Sequence, residues 1–348
     1  MTTMTETSTG VIVGVDTHHR FHVAAVLDAN GGLIGSGTFE ASNGGYRRLL
    51  AWAEGFGRVE AAGVEGTGAW GKGLARYLAG ENVRVIEVIR PNRQHRRRHG
   101  KSDVTDAVSA GRAVISGEAS AVPRGDGAVE ALRNLRIARR STVGHRTRMI
   151  NQIRAIIVTC PDRLRARLDL LDGDQLIRTC ARFRPGPDLG DPETAAKYAL
   201  KTLAGQYLGF GEDLDRLTAQ IETVVKAHAP AGMLELVGIG PVGAADILIA
   251  WGSNPNRVTS EAAFAALCGV SAVEASSGER IRHRLNRGGD RQANAALYRM
   301  VIVRLKYDPI ARDYLQRRLN DGKTKKEAIR CLKRYAAREL YHTLKHAT

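Results

Sequence analysis

Val11-Ile12-Val13-Gly14-Val15-Asp16 is an apolar run that stops at a carboxylate. Its β-branched density predicts a buried strand with Asp16 at the carboxyl end. Downstream, Phe21–Leu27 alternates apolar with other residues, Asp28-Ala29-Asn30-Gly31-Gly32 supplies a turn, and Leu33–Phe39 reads as a third strand. Tyr46–Glu54 has helical character, Ala61–Glu65 is a short strand that again ends in a carboxylate, Gly71–Ala79 is helical and Val83–Ile89 is a strand. Lys101-Ser102-Asp103-Val104-Thr105-Asp106-Ala107 opens a helix reaching about Ile115, with Ser102 as a ready N-cap.

Antiparallel strands followed by β-α-β units describe an α/β domain of the ribonuclease-H type. Within it, Asp16 and Glu65 stand at strand ends, and Asp103 and Asp106, three residues apart, share one helix face. Four such carboxylates can hold paired divalent cations and clamp the attacking and leaving oxygens of a phosphodiester. Hard oxygen donors without a nearby thiolate favour Mg2+, with Mn2+ as the substitute. Gly14-Val15-Asp16-Thr17 also resembles the opening strand of sugar kinases and actin-like ATPases, but the duplicate domain that those proteins need is absent from the sequence. The tryptophans Trp52, Trp70 and Trp251 read as core residues rather than as base-stacking platforms.

The formal net charge is +16 and the sequence pI is near 10.1. That excess, spread over folded-looking segments, points to a polyanionic partner, most simply nucleic acid. One basic stretch, Arg90-Pro91-Asn92-Arg93-Gln94-His95-Arg96-Arg97-Arg98-His99-Gly100-Lys101, adjoins the helical acid pair. Arg93, Arg96, Arg97, Arg98 and Lys101 are therefore candidate phosphate ligands. Cys160, Cys180, Cys268 and Cys331 are widely spaced and form no zinc-type cluster. The expectation is a reduced, cytoplasmic protein with no signal peptide and no membrane-spanning segment.

From about Val129 to Leu171, Leu132, Leu135, Ile150, Ile153, Ile156 and Ile157 recur at helical spacing among arginines. Arg182–Asp191 breaks this pattern, and Thr194–His228 resumes it with Leu214, Leu217 and Ile221 as an apolar stripe. One or two long basic helices are expected, suited to nucleic acid or to a coiled-coil dimer contact. Further on, Leu236-Val237-Gly238-Ile239-Gly240-Pro241 has the form of a helix-hairpin-helix turn, in which Gly238 and Gly240 let the backbone approach a phosphate. Ser276-Ser277-Gly278 lies in a loop-like stretch beside Arg280, Arg282, Arg284 and Arg287, cations able to neutralise a phosphate.

Three groups of motifs stand in a specific order: Gly14-Val15-Asp16-Thr17-His18 with Val64-Glu65-Gly66-Thr67-Gly68 and the Asp103/Asp106 helix; Gly238-Ile239-Gly240-Pro241; and Ala266-Leu267-Cys268-Gly269-Val270, then Ser276-Ser277-Gly278 and Arg287-Gly288-Gly289-Asp290-Arg291. Over nearly its whole length the chain thereby resembles the DEDD transposases of the insertion sequence one-hundred-ten family of bacterial mobile elements. The resemblance implies a domain similar to the RuvC Holliday-junction resolvase at 1–125, a helical coiled-coil linker at 126–230 and a mainly helical transposase domain at 231–348. It implies magnesium on Asp16, Glu65, Asp103 and Asp106, and Ser276 as the nucleophile with Ser277 one position away. It also implies element and target DNA as substrates, a structured bridge RNA as guide, assembly into a dimer or tetramer, and a place on the bacterial nucleoid. One departure is Val270-Ser271-Ala272, where the family often has a proline. Two other functions share the carboxylates or the charge: a resolvase-like nuclease using activated water, and a nucleic-acid-binding protein without catalysis.

Overall fold

The computed structural model describes residues 10–89, 102–276, 278, 283–284 and 286–346. The chain divides between Gly125 and Asp126 into two compact units.

The first unit contains β1 (Val11–Thr17), β2 (Phe21–Leu27), β3 (Leu33–Glu40), α1 (Asn43–Glu54), β4 (Val59–Glu65), α2 (Lys72–Gly80), β5 (Arg84–Val88) and α3 (Asp103–Ile115). Its five strands lie in the order β3-β2-β1-β4-β5. The β1–β2 and β2–β3 pairs are antiparallel, whereas β1–β4 and β4–β5 are parallel. Strand alternation assigns the two faces. Val11, Val13, Val15, Ala62 and Val64 point into a core shared with Leu49 and Leu50 of α1 and Leu74 and Leu78 of α2. Val23, Ala25 and Leu27 point the other way and pack on Ala107 and Val108 of α3. The sheet is thus covered on both faces, as a parallel segment requires. Burying each valine or leucine contributes about 1.5–3 kcal/mol.

Helix α3 approaches the sheet closely at glycines. A methyl group on Gly14 would overlap the Ala107 carbonyl and the Gly111 amide, and one on Gly63 would stand 2.6 Å from the Ala110 carbonyl. Gly14 and Gly63 are neighbours in the parallel β1–β4 register. The helix therefore rests on a groove made by missing side chains.

The second unit is mostly helical: α4 (Ala128–Thr159), α5 (Asp162–Leu168), α6 (Gly173–Ala181), α7 (Pro192–His228), α8 (Pro241–Trp251), α9 (Glu261–Leu267), β6 (Val273–Glu274), β7 (His283–Arg284), α10 (Arg291–Tyr307), α11 (Pro309–Asn320) and α12 (Lys325–Lys345). The break expected at Arg182–Asp191 separates α6 from α7, where Asp191 caps the new helix by accepting from the Thr194 amide at 2.8 Å and Pro192 occupies the first turn.

Helices α4 and α7 form a long antiparallel pair. Arg139 donates to Thr218 Oγ1 at 2.8 Å, His145 meets Phe210 with ring centroids 5.4 Å apart, and the Arg146 guanidinium lies 4.3 Å from the Tyr207 ring centre. At the far end Ile153, Ile157, Leu164, Ile177 and Leu200 close a small core with α5 and α6. At the near end Leu132, Ile221 and Val225 join the larger core of α8, α9, α10 and α12. Among the described residues no helix is long and apolar enough to cross a membrane.

Candidate metal centre and serine loop

The carboxylates are brought together by strand parity. Asp16 shares a sheet face with Gly14, and Glu65 shares it with Gly63, because side chains two apart in a strand point the same way. That face is the one α3 covers. The first turn of α3 carries Asp103 and Asp106, with Ser102 capping it by accepting from the Thr105 amide at 3.1 Å. Asp16, Glu65, Asp103 and Asp106 all line a cleft of about 540 Å³ at the carboxyl ends of β1 and β4. Ligands of α/β sheets bind at such strand ends. Thr17 Oγ1 donates to the Glu65 carbonyl at 2.8 Å, tying the two strand ends together.

Two further groups join the site. His18 Nε2 stands 3.2 Å from Asp16 Oδ2 and 3.5 Å from Asp103 Oδ2. Asp16, His18 and Asp103 each offer a donor atom, all within 4.8 Å of one another. The sequence signal for His18 was its position two residues after Asp16, on the same side of an extended segment. Glu87 of β5 also lines the cleft, hidden in a strand read only for its apolar residues. Burial pushes the Asp16 carboxyl above its usual range; the His18 imidazole opposes this, and the Asp106 and Asp103 charges reinforce it. A carboxylate so crowded by like charge favours a bound cation, and oxygen donors with one imidazole fit a hard divalent ion.

Trp70 departs from the expectation. Trp251 is buried in the core, but Trp70 is 56% exposed and lines the carboxylate cleft. It follows Gly66, whose φ of +68° ends β4 in the left-handed region and starts a turn that swings the ring outward.

In the second unit, Gly238 has a φ of +89°, and a methyl group there would stand 2.6 Å from the Met300 carbonyl of α10. Its lack of a side chain thus serves packing onto α10. Gly240 faces open space and leads into α8 with Pro241 in the first turn. Two of the C-terminal motifs interlock: the Asp290 amide donates to the Leu267 carbonyl at 2.6 Å, and Asn294 donates to the carbonyls of Cys268 and Gly269 at 3.1 and 2.8 Å. Gly269 has a φ of +65° and packs on the backbone of Gly289. This knot holds the base of the β6–β7 segment that carries Ser276, which is exposed.

Beside it lies a cleft of about 1200 Å³ lined by Arg284, Lys323, Arg330, Lys333, Arg334 and Arg338. Ala275, next to Ser276, belongs to its wall. The Lys333 ammonium is buried and donates to Asn294 Oδ1 at 2.9 Å. Burial, and then the Arg330 charge, hold its pKa below the usual lysine range. None of the α12 cations was singled out from the sequence. Arg287 is exposed. Arg93, Arg96, Arg97, Arg98, Lys101, Ser277, Arg280 and Arg282 fall outside the described residues.

An acidic cleft at parallel strand ends, backed by a helix carrying two more acids, is an α/β arrangement whose donors are able to hold a divalent cation. Residues 13–160 match the DEDD-type IS110 transposase model, and residues 233–316 match that of the IS116/IS110/IS902 transposase family. Together the matches span about two thirds of the chain, which belongs to this transposase family. A curated relative, the insertion element IS110 uncharacterized 43.6 kDa protein of Streptomyces coelicolor, is 30% identical over 149 residues, 42% of this chain. The matched stretch spans 36% of that relative's length.

Proposed function

We propose that this protein cuts and rejoins DNA at the ends of a mobile element through a covalent serine–DNA intermediate. What supports this reading most is one observation: Asp16, Glu65, Asp103 and Asp106 line a single cleft in a chain that matches both halves of a transposase family. The N-terminal unit is read as a RuvC-like domain holding Mg2+, residues 126–230 as a helical linker, and residues 231–348 as the domain that supplies the nucleophile.

In the first step the Ser276 hydroxyl attacks phosphorus. An Oγ–P bond forms, one ester P–O bond breaks, and the departing sugar hydroxyl carries away one proton while serine gives one up. A second sugar hydroxyl then attacks the serine phosphodiester and releases Ser276 with its proton restored. Each step exchanges one ester for another, so no nucleotide triphosphate is consumed. Mg2+ bound by the carboxylates would supply charge neutralisation at the phosphate and ease loss of the serine proton. The cations of the α12 cleft and Arg284 hold the flanking backbone. A structured RNA selects the sequence by base pairing, and the protein acts as a dimer or tetramer.

The test is an incubation of the full chain with Mg2+, the RNA flanking its element and DNA carrying both element ends, read on denaturing gels. A protein-linked DNA band that vanishes in Ser276→Ala and persists in Ser277→Ala is expected. Free cleaved ends without an adduct would replace serine attack by hydrolysis with water. Salt-sensitive binding without any cleavage would leave a nucleic-acid-binding protein.

A further inference from the structure

The exposed tryptophan at the acidic cleft has no role in metal binding, yet its placement is costly. Of the three tryptophans, Trp70 is the exposed one, at 56%. Its ring is held in place. The Ala69 and Gly71 amides donate to the Gly66 carbonyl at 2.8 and 3.1 Å, fixing the turn. His19 meets the indole edge-on, with ring centroids 4.6 Å apart and planes at 70°. Next to this pair, Phe21 is also exposed and tilts against His18 at 4.9 Å. Rings therefore flank the same carboxyl end of β1 that carries Asp16.

The charge of the cleft makes such rings useful. Asp16, Glu65, Glu87, Asp103 and Asp106 all line it. These acids repel a phosphodiester until a cation neutralises them. Stacking on an indole face does not depend on that cation, because every base presents a π-face. The turn also brings a positive group: the Arg124 guanidinium lies against Gly68, two residues before Trp70. A ring with a cation alongside suits a nucleotide, base on the indole and phosphate toward the guanidinium.

We propose that Trp70 is a stacking platform for an unpaired nucleobase of the strand whose backbone enters the carboxylate cleft. This rests on the reading of that cleft as a phosphodiester site, and it adds that the bound strand is locally unpaired there. Trp70 is a positioning residue: it touches the base beside the reacting phosphate and sets where that phosphate stands.

The test uses the full chain and a 12-nucleotide oligodeoxythymidylate, which carries no element end to be cut, in Ca2+ to neutralise the cleft acids. Tryptophan fluorescence and the anisotropy of a labelled oligonucleotide are recorded together. Wild-type emission is quenched on binding, and the quench is absent in Trp70→Phe, which keeps a ring and most of the affinity. Trp70→Ala binds about 5- to 150-fold more weakly, the equivalent of about 1–3 kcal/mol for one stacked base. An oligonucleotide of abasic sites binds wild type and Trp70→Ala alike. Equal affinity of wild type and Trp70→Ala for oligodeoxythymidylate, or an undiminished quench in Trp70→Phe, overturns the proposal.

The Asp103→Asn variant separates the two readings. A retained quench in Asp103→Asn, with metal-dependent cleavage lost, upholds both. Quenching by a wild-type protein that never cleaves in Mg2+ sinks the metal reading and leaves the stacking. Cleavage that proceeds in Mg2+ while Trp70→Ala binds normally sinks the stacking alone.

Discussion

Arg136 and Asp246, on α4 and α8, meet as a two-pronged buried pair: Arg136 Nε and Nη2 each donate to a carboxylate oxygen of Asp246 at 2.8 Å. Arg299 of α10 reaches the same carboxylate at 3.0 Å. Three helices are thereby pinned through one acid.

Removing that acid leaves a buried guanidinium uncompensated. Asp246→Ala is expected to lower stability by about 3–5 kcal/mol, seen as an earlier urea midpoint. The double change Arg136→Met with Asp246→Leu recovers most of the loss, because an apolar pair leaves no unpaired Arg136. A single variant as stable as wild type would show that the pair is not desolvated.

Two glycines should respond to alanine in opposite directions. Gly14→Ala forces α3 away from the sheet, at a cost of about 1–3 kcal/mol, and shifts Asp103 and Asp106 relative to Asp16. Its Mn2+ binding falls with its melting temperature. Gly144, exposed in mid-α4 with open space around it, gains about 0.8–1 kcal/mol as alanine from helix propensity alone. Thermal melts of the two variants test both signs.

His18 lies within donor distance of Asp16 and Asp103. His18→Ala is expected to weaken Mn2+ binding by roughly 10- to 100-fold, the usual effect of losing a group that orients or supports a ligand. A spin-resonance titration of free Mn2+ reads this directly, without DNA. Asp103→Asn loses at least as much; unchanged binding in both variants would place the ion elsewhere.

Thiol chemistry should single out one cysteine. Burial pushes the Cys268 thiol up to about 12 and Cys180 up to about 11, and raises Cys160 as well. A raised thiol pKa means less thiolate: at pH 8 Cys180 is ionised to about one part in a thousand, and the thiolate is the reacting form. Cys331, partly exposed on α12, is the one expected to label with iodoacetamide at that pH in the native protein. All four label in urea, and Cys331→Ser abolishes the fast reaction.

Legibility followed the local physics. Asp16 and Glu65 were readable because each ends an apolar run, and the α3 pair because a serine cap and a three-residue spacing announce a helix face. The N-terminal strands and helices stand within a few residues of their expected places. His18 was hidden because its position depends on the chain staying extended past β1. Trp70 misled because indoles are usually buried, and only the left-handed Gly66 turn sends this one outward. The Lys333 cleft was invisible because a lysine in a basic helix looks solvated; its burial depends on Asn294, far away in sequence. Long helices at 128–159 and 192–228 were legible from periodicity, but their antiparallel pairing within one chain was not, since the same stripe serves a partner chain equally well.

The α4–α7 pair also acts as a ruler. At a rise of about 1.5 Å per residue, α4 alone is about 48 Å long. Along it, Ile153 of the small core at the tip stands about 32 Å of helix away from Leu132 of the larger core at the base. Inserting or deleting seven residues in each helix, close to two full turns, would move the tip by about 10 Å while keeping its rotational phase. Relatives with longer or shorter arms could thus reach differently spaced contacts without redesigning either end.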